Sequence, residues 1–158
     1  MGCHNSVMKA IGDLAVLSQF KVDSIAADYI DLDDLCERRK RVEDELENAM
    51  DATPMVSMEL RGIRSNLSMS RLIDRAKLQQ KSEQHCVTRI FAAAALAQLA
   101  VISAEVSNHI SKALVRRAVS RVIVEIKMAD QMVSPRQLSW PICVAGCLAD
   151  EDQQAFFE

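Results

Sequence analysis

The chain has 158 residues, of which 49% are hydrophobic and 26% are charged, a balance typical of a single soluble globular domain. Its net charge of −3 argues against a nucleic-acid-binding domain, because such domains usually carry a clear basic excess. The five cysteines are scattered and odd in number, which favours reduced thiols in the cytosol or nucleus over a disulfide framework.

The first predicted element is a helix over Asn5–Lys21. Apolar residues recur there at helical spacing, and Asn5 or Ser6 can cap the start of the helix. A short link, Val22–Ile30, is expected to follow. The whole chain has only four glycines and three prolines, so long helical runs and an all-α fold are predicted.

Leu32–Asp51 is the clearest amphipathic helix, because its apolar residues share one arc at about 100° per residue. The arc consists of Leu32, Leu35, Val42, Leu46, Ala49 and Met50. Pro54 follows its end. The next residues, to Ser82, are rich in Ser, Met and Arg and have weak periodicity. They predict a mobile connection at about 52–82, with one helix near Met69–Lys81.

Gln84–Ala104 is apolar nearly all round and contains four consecutive alanines at 92–95, so we expect it at the centre of a helical bundle. Its most apolar stretch, Ile90–Ile102, includes Gln98 and is too short to span a bilayer. No secretory signal sequence opens the chain.

A further helix is predicted from a cap at Ser107–Asn108 to about Asp130. Its apolar arc consists of Val115, Ala118, Val119, Val122, Ile126 and Ala129. Arg117, Arg121 and Glu125 are expected on the opposite side.

The segment Ser139–Ala149 contains the chain's only tryptophan, Trp140, directly before Pro141. Proline is tolerated in the first turn of a helix, so this pair predicts a helix start. Asp150 and Gln153 have the spacing of a helix cap and its third-position partner.

Phe156 and Phe157 would then begin an apolar face just before the sequence stops at Glu158. This ending predicts that residues 1–158 are a single helical domain that is a piece of a longer protein. The expected architecture is an irregular bundle of about five helices, forming an incomplete part of a larger helical domain.

The end of the chain contains the Trp140–Pro141 pair, the small-residue run that includes Gly146 and Cys147, and an acidic, polar run after it. Together these features resemble one block of the fungal-specific transcription factor domain. That domain is the helical regulatory region of fungal zinc-cluster transcription factors. Three other blocks resemble the same family in the same order. They are Gly2–Asn5 with the helix that follows it, the pattern of Leu35, Arg38, Val42, Glu43 and Leu46, and the helix Ile90–Ile102.

The resemblance implies a regulatory or interaction domain that modulates transcription through protein or effector contacts, with a nuclear location, or a cytoplasmic one for an isolated fragment. Trp140, Pro141, Gly146 and Cys147 would be structural members of the family motif. The implied partners are the remainder of the parent domain, other proteins or a second copy of the chain. Direct nucleic-acid binding by this chain and a membrane partner are not expected.

Zinc is expected only in an N-terminal six-cysteine cluster of the parent protein, outside this chain. Cys143 and Cys147 share a helix face, but the cysteines do not have the spacing of a four-ligand site. His85 and Cys86 are adjacent and point apart on a helix. No metal, DNA-binding or catalytic residue is therefore predicted, and the three histidines lack a local catalytic signature, so the chain is not expected to be an enzyme.

The basic run Arg38–Arg41 allows two interpretations. It matches a nuclear localisation or phosphate-binding signal, but consecutive residues spread around a helix, and acidic neighbours suit local ion pairs. The second interpretation, a solvated helix, is favoured.

The N-terminus supports an alternative function. Gly2 after Met1 and Ser6 four residues later fit the N-myristoylation pattern, and Cys3 would be a palmitoylation site. The chain would then be a lipid-anchored helical adaptor at a membrane surface. A third hypothesis, a small helical enzyme or ligand carrier, requires an enclosed pocket with converging polar groups.

Overall fold

The computed structural model describes residues 2–27, 31–53, 69–106, 112–129 and 132–158. In these ranges every regular element is helical, which confirms the all-α class. The α-helices are α1 (Asn5–Ala26), α2 (Leu32–Asp51), α3 (Met69–Val106), α4 (Lys112–Ala129), α5 (Ser139–Leu148) and α6 (Glu151–Gln154), with a 3-10 turn at Pro135–Leu138 before α5.

The long helix α3 lies at the centre of the bundle and contacts α1, α2, α4 and α5. Its four consecutive alanines, 92–95, are each no more than 1% exposed. Consecutive helical residues point in different directions, so burial of all four requires neighbours on every side. The central position predicted for this helix is confirmed.

The segment Ala76–Ile102 of α3 is long and apolar enough to cross a membrane. The shorter stretch Ile90–Ile102, from which no membrane span is predicted, is too short to do so. However, 56% of the most apolar window of the longer segment is buried inside the bundle. The core helix of a packed bundle has the same length and composition, and that is the role α3 has among the described residues.

Helix α1 begins at Asn5 as predicted, but its predicted cap and its predicted end are wrong. The residue before its first turn is His4, and no side chain caps it. At the other end residues 22–26 continue the helix instead of forming a link. The buried side chain of Lys21 donates to the carbonyl oxygen of Ile102 in α3, 3.2 Å away, and this tertiary anchor holds α1 against the bundle at the point where the prediction ends it.

The helix expected near Met69–Lys81 is present, but no break separates it from the helix that follows, because residues 69–82 belong to α3. The helix expected near Met69–Lys81 and the one expected over Gln84–Ala104 form the single helix α3. Residues 54–68 of the predicted connection and the predicted cap at Ser107–Asn108 lie outside the described residues.

Helix α2 has the predicted bounds and begins with a capping interaction. The carboxylate of Asp31 accepts hydrogen bonds from the backbone N–H groups of Asp33 and Asp34, both 3.1 Å away. The arc of apolar residues is buried as expected at Leu35, Val42, Leu46 and Met50, and Ala49 is partly buried. Leu32, in the first turn of α2, is 54% exposed.

A buried ion pair joins α3 to α4. Arg89 donates to both carboxylate oxygens of Glu125, at 2.6 and 2.9 Å, and Glu125 is 8% exposed. The pKa of Arg89 is raised, chiefly because its guanidinium hydrogen-bonds to this carboxylate. The prediction that Glu125 faces away from the core is wrong, because its partner on α3 draws the carboxylate inward.

The same guanidinium also binds the end of α2. It donates to the backbone oxygens of Met50, at 3.0 Å, and Thr53, at 3.1 Å. The last carbonyl groups of a helix have no partner within the helix, and a cation suits the negative end of the helix dipole. Arg89 therefore links α2, α3 and α4.

A second ion pair closes α2 onto α4 nearer the surface. Arg121 donates to both carboxylate oxygens of Glu47, at 2.7 and 3.0 Å. These bonds lower the pKa of Glu47, because the charged form accepts them. Arg121 thus faces α2 rather than open solvent.

Replacing Arg89 with methionine should lower the free energy of unfolding by about 3 kcal/mol, because it leaves Glu125 charged and buried without its partner. Urea denaturation followed by circular dichroism measures the loss. Arg39→Met is the matched control. It removes an exposed pair with Glu43 at 3.0 Å and should cost about 0.5 kcal/mol. Equal losses for the two variants would contradict the role given to Arg89.

Candidate functional site

The segment that resembles the family motif forms α5, which packs directly on α3. The ring of Trp140 stacks on the ring of Phe91, with centroids 5.5 Å apart and planes inclined by 24°. Trp140 lies in the first turn of α5 and is partly buried. Its contact with α3 places the start of α5 on the central helix.

Pro141 and Ala145 form the buried side of α5. Proline has no N–H group, which would be unpaired in the first turn of a helix, so it can be fully buried there without leaving a donor unsatisfied. The helix start predicted from the Trp140–Pro141 pair is confirmed. Through these residues α5 is packed against the core.

Gly146 lies on the side of α5 that meets the end of the chain. A Cβ atom built at Gly146 would be 3.6 Å from the ring of Phe157, which is ordinary van der Waals contact. Phe157 in turn packs edge-on against Phe156, with centroids 5.1 Å apart, and Lys127 of α4 lies 5.3 Å from the centre of the Phe156 ring. The two phenylalanines thus close over α5 and α4 instead of extending a helix.

Cys147 and Cys143 lie on the exposed side of α5. One turn of helix separates them, so both thiols face solvent on the same surface. The motif therefore has an inner side, which packs on α3, and an outer side, which carries these two thiols.

The acidic, polar run after α5 docks on α4. Asp150 and Gln153 form the predicted capping box, in which each side chain accepts the other's backbone N–H. The buried amide of Gln153 also donates to the backbone oxygen of Arg116 and the hydroxyl of Ser120, each 2.9 Å away. Arg116 adds ion pairs with Asp150 and Asp152, at 3.1 and 2.9 Å. The capping box is visible in the sequence, but the docking of Gln153 is not.

The first residues of the chain pack on α3. The backbone N–H of His4 donates to the hydroxyl of Thr88, 3.1 Å away, and that hydroxyl donates to the backbone oxygen of Gln84. Cys3 is half-buried beside them, and burial raises the pKa of its thiol to about 11. Gly2 is exposed. A protonated, enclosed thiol is a poor nucleophile, so the packing of Cys3 gives no support to a lipid-anchored adaptor.

Two histidines and one further cysteine lie near this contact, but they do not form a metal site. The ring of His85 is edge-on to that of His4, with centroids 5.8 Å apart. Burial lowers the pKa of His85, and the nearby charges of His4 and Lys81 lower it further. Burial also raises the pKa of Cys86. Across the described ranges, no three His, Cys, Asp or Glu side chains come together as metal ligands would.

A shallow groove of about 230 Å³ runs between α1 and α2. Val16, Leu17 and Val42 supply its apolar lining. Charged residues of both signs form the rest of its wall; they are Lys9, Asp13, Arg38, Arg41 and Glu45. The groove is smaller than the roughly 300–1,000 Å³ of sites that enclose a small-molecule ligand.

The three arginines of the basic run Arg38–Arg41 pair with carboxylates of their own helix. Arg38 pairs with Asp34, Arg39 with Glu43 and Arg41 with Glu37, all within α2 and one turn apart. Arg38 also lies over the ring of Phe20 in α1, 4.7 Å from its centre. The interpretation as a solvated helix therefore describes this run better than the interpretation as a basic patch.

Comparison with known proteins gives one family and two curated relatives. The family model "Fungal specific transcription factor domain" matches residues 1–158. "Transcription factor dibT" of Pestalotiopsis microspora is 30% identical over 157 residues, which cover 94% of this chain and 24% of that protein. "Trichothecene biosynthesis transcription regulator TRI10" of Trichoderma arundinaceum is 27% identical over 157 residues, which cover 99% of this chain and 31% of that protein.

The chain thus spans about a quarter to a third of the length of these relatives. No solved structure gives a significant match. The four sequence blocks that resemble the family lie on α1, α2, α3 and α5, and all four helices contribute to one bundle.

Alkylation of the folded chain should separate its cysteines into two groups. Cys36, Cys143 and Cys147 are exposed and should react quickly, whereas Cys3 and Cys86 are half-buried with raised pKa values. For Cys3, a rise from 9.0 to about 11 leaves on the order of 100-fold less thiolate. Iodoacetamide labelling with peptide mass spectrometry measures the rates, and labelling in urea provides the control in which all five react alike. Equal rates for Cys3 and Cys36 in the folded chain would refute this placement.

Proposed function

Because this chain belongs to the family of fungal-specific transcription factor domains, we propose that it is a regulatory domain that modulates transcription through contacts with other proteins. The family and both curated relatives are transcription regulators rather than enzymes. The proposal places the chain in the nucleus, as part of a longer polypeptide.

The orientation of the family-like motif is the observation that best supports this proposal. Trp140 packs on Phe91 of α3 and Pro141 is fully buried, so neither residue presents a reactive group at the surface. What remains for function is the outer surface of the helices. A regulatory domain acts through such a surface when its binding partner is a protein.

A protein partner is favoured over a small effector by the shape of the described surface. The groove between α1 and α2 is shallow and carries charges of both signs. A small-molecule site is usually an enclosed, mostly apolar cavity with a few convergent polar groups. The groove and the flanking helix faces suit an extended polypeptide better than an enclosed ligand.

DNA contact and zinc binding are assigned by the proposal to parts of the parent protein outside this chain. The net charge is −3, and the arginines of the basic run are paired with carboxylates of α2. Affinity for DNA depends largely on cations that are free to replace counterions along the phosphate backbone.

The purified chain should therefore not bind duplex DNA specifically. A gel shift at physiological salt should show no band that an unlabelled specific competitor removes more effectively than a scrambled one. The expected result follows from the small electrostatic contribution of an acidic chain with paired arginines. A sequence-dependent complex at sub-micromolar concentration would contradict it.

The regulatory role itself can be tested by tethering. The chain is fused to an unrelated DNA-binding module in a fungal host, and transcription from a reporter with the matching site is measured. We expect the tethered chain to change reporter transcription several-fold. Trp140→Ala, which removes the contact with Phe91, should reduce this effect, whereas Cys143→Ala on the exposed side of the same helix should retain it.

The amount of each fusion and its nuclear location are measured in the same cells. If wild-type chain is folded, nuclear and abundant but leaves the reporter unchanged, the proposed regulatory role is wrong. Loss of abundance with Trp140→Ala would instead be read as unfolding, and the comparison between wild type and the unfused module still decides the question.

A further inference from the structure

Helix α1 has a second face, uncharged and largely apolar, besides the one that packs on the bundle. Its inner residues, such as Leu14 and Leu17, are buried. Its outer residues alternate at spacings of four and three, the repeat of a helix that packs lengthwise against another helix. They are Met8, Gly12, Ala15, Gln19, Val22 and Ala26, and all six are exposed.

This outer face differs from the exposed side of the neighbouring helix. The exposed side of α2 carries charged residues such as Glu37, Lys40 and Asp44, whereas the outer face of α1 contains no charged residue. Val22 is 57% exposed, and the adjoining Val16 and Ile25 are 60% and 56% exposed. An uncharged, largely apolar strip along a helix of about 33 Å is typical of a contact surface rather than a solvated one.

Among the described residues, nothing packed against Gly12 requires glycine at this position. A Cβ atom built there meets nothing within 4 Å. Glycine inside a helix is less favourable than alanine by roughly 1 kcal/mol. Because glycine has no side chain, it would allow a second helix to approach α1 closely at this point.

We propose that a second copy of the chain docks antiparallel on the outer face of α1. With this orientation and the observed spacing, a large residue lies opposite a small one in every layer of the contact. Met8 meets Ala26 of the second copy, and Val22 meets Gly12. Gln19 meets Ala15 at the centre.

The charges beside this face also fit an antiparallel pair. Lys9, Val16 and Asp23 are spaced by seven residues and lie along one flank. In an antiparallel pair, the same flank of each helix meets its equivalent on the second copy. Lys9 of each copy then lies opposite Asp23 of the other, which gives two equivalent ion pairs, and Val16 lies on the two-fold axis. A parallel pair would instead place Asp23 beside Ser18 and form neither ion pair.

The groups involved can reach these positions. Lys9 has a side chain that is 68% exposed, and its pairs with Glu45 and Asp13 are long, at 3.4 and 3.8 Å. Asp23 accepts a hydrogen bond from Gln19 and keeps further acceptor capacity. On the opposite flank, Ile11 would meet Ile25 of the second copy, which extends the apolar contact.

The dimer should be weak. A contact limited to one helix from each copy lies at or below the low end of specific interfaces, about 1,200 Å² in total. We therefore expect dissociation in the micromolar range, so that association depends on concentration.

Sedimentation of the 158-residue chain from micromolar to millimolar concentration tests the surface. The wild-type chain should shift from monomer to dimer. Val22→Glu should weaken association at least tenfold, because it buries a carboxylate in the contact. Val124→Glu is the matched control, since it introduces the same residue at a site in α4 that is 52% exposed, and it should leave association unchanged.

A charge exchange tests the antiparallel orientation. Lys9→Glu and Asp23→Lys should each weaken the dimer, and the double variant should restore it. Circular dichroism of each variant checks that the helices remain folded. The proposed surface would be wrong if the wild-type chain stayed monomeric at all concentrations. It would also be wrong if Val124→Glu weakened association as much as Val22→Glu does. A double variant that remains weak would overturn the orientation.

Discussion

The guanidinium group of Arg89 is the point at which α2, α3 and α4 are held together. One pair of its bonds satisfies Glu125 on α4, and the other pair satisfies backbone oxygens at the end of α2. Apolar contact fixes the distance between helices but specifies their relative rotation and translation only weakly. A directional polar contact at a three-helix junction selects one arrangement, because any other would leave a buried charge without a partner.

The remaining contacts extend this frame toward both ends of the chain. The backbone of His4 bonds to Thr88 on one part of α3, and Trp140 stacks on Phe91 nearby. Gln153 then ties the last turn to α4. Within the family-like motif, Trp140 and Pro141 thus pack into the bundle, whereas Cys147 stays exposed. Among the described residues, this arrangement leaves the outer surfaces of α1 and α2 exposed, with the shallow groove between them.

The parts of the fold that were predictable from sequence are those fixed by local chemistry. Helix α2 has a capping aspartate, a clear apolar arc and a following proline, and its predicted bounds match the structure. The capping box of Asp150 and the helix start at Pro141 are likewise local signals. Predictions from local sequence patterns are wrong where a residue distant in the chain determines the end of a helix or the burial of a side chain. Lys21 anchors a helix that the pattern would end, and Glu125 is buried because of Arg89, which lies 36 residues earlier in the chain.

The four buried alanines of α3 restrict how the chain can change during evolution. Each has a single methyl group, so the backbones of neighbouring helices approach α3 closely, and a larger side chain at any of these positions would have to push a whole helix outward. Compensation by one neighbour is difficult, because residues 92–95 point in different directions around α3. Sequence divergence among such domains should therefore accumulate on the outer faces of the helices. Regulators built on this scaffold could thus acquire new binding partners while the spacing of the central helices stays the same.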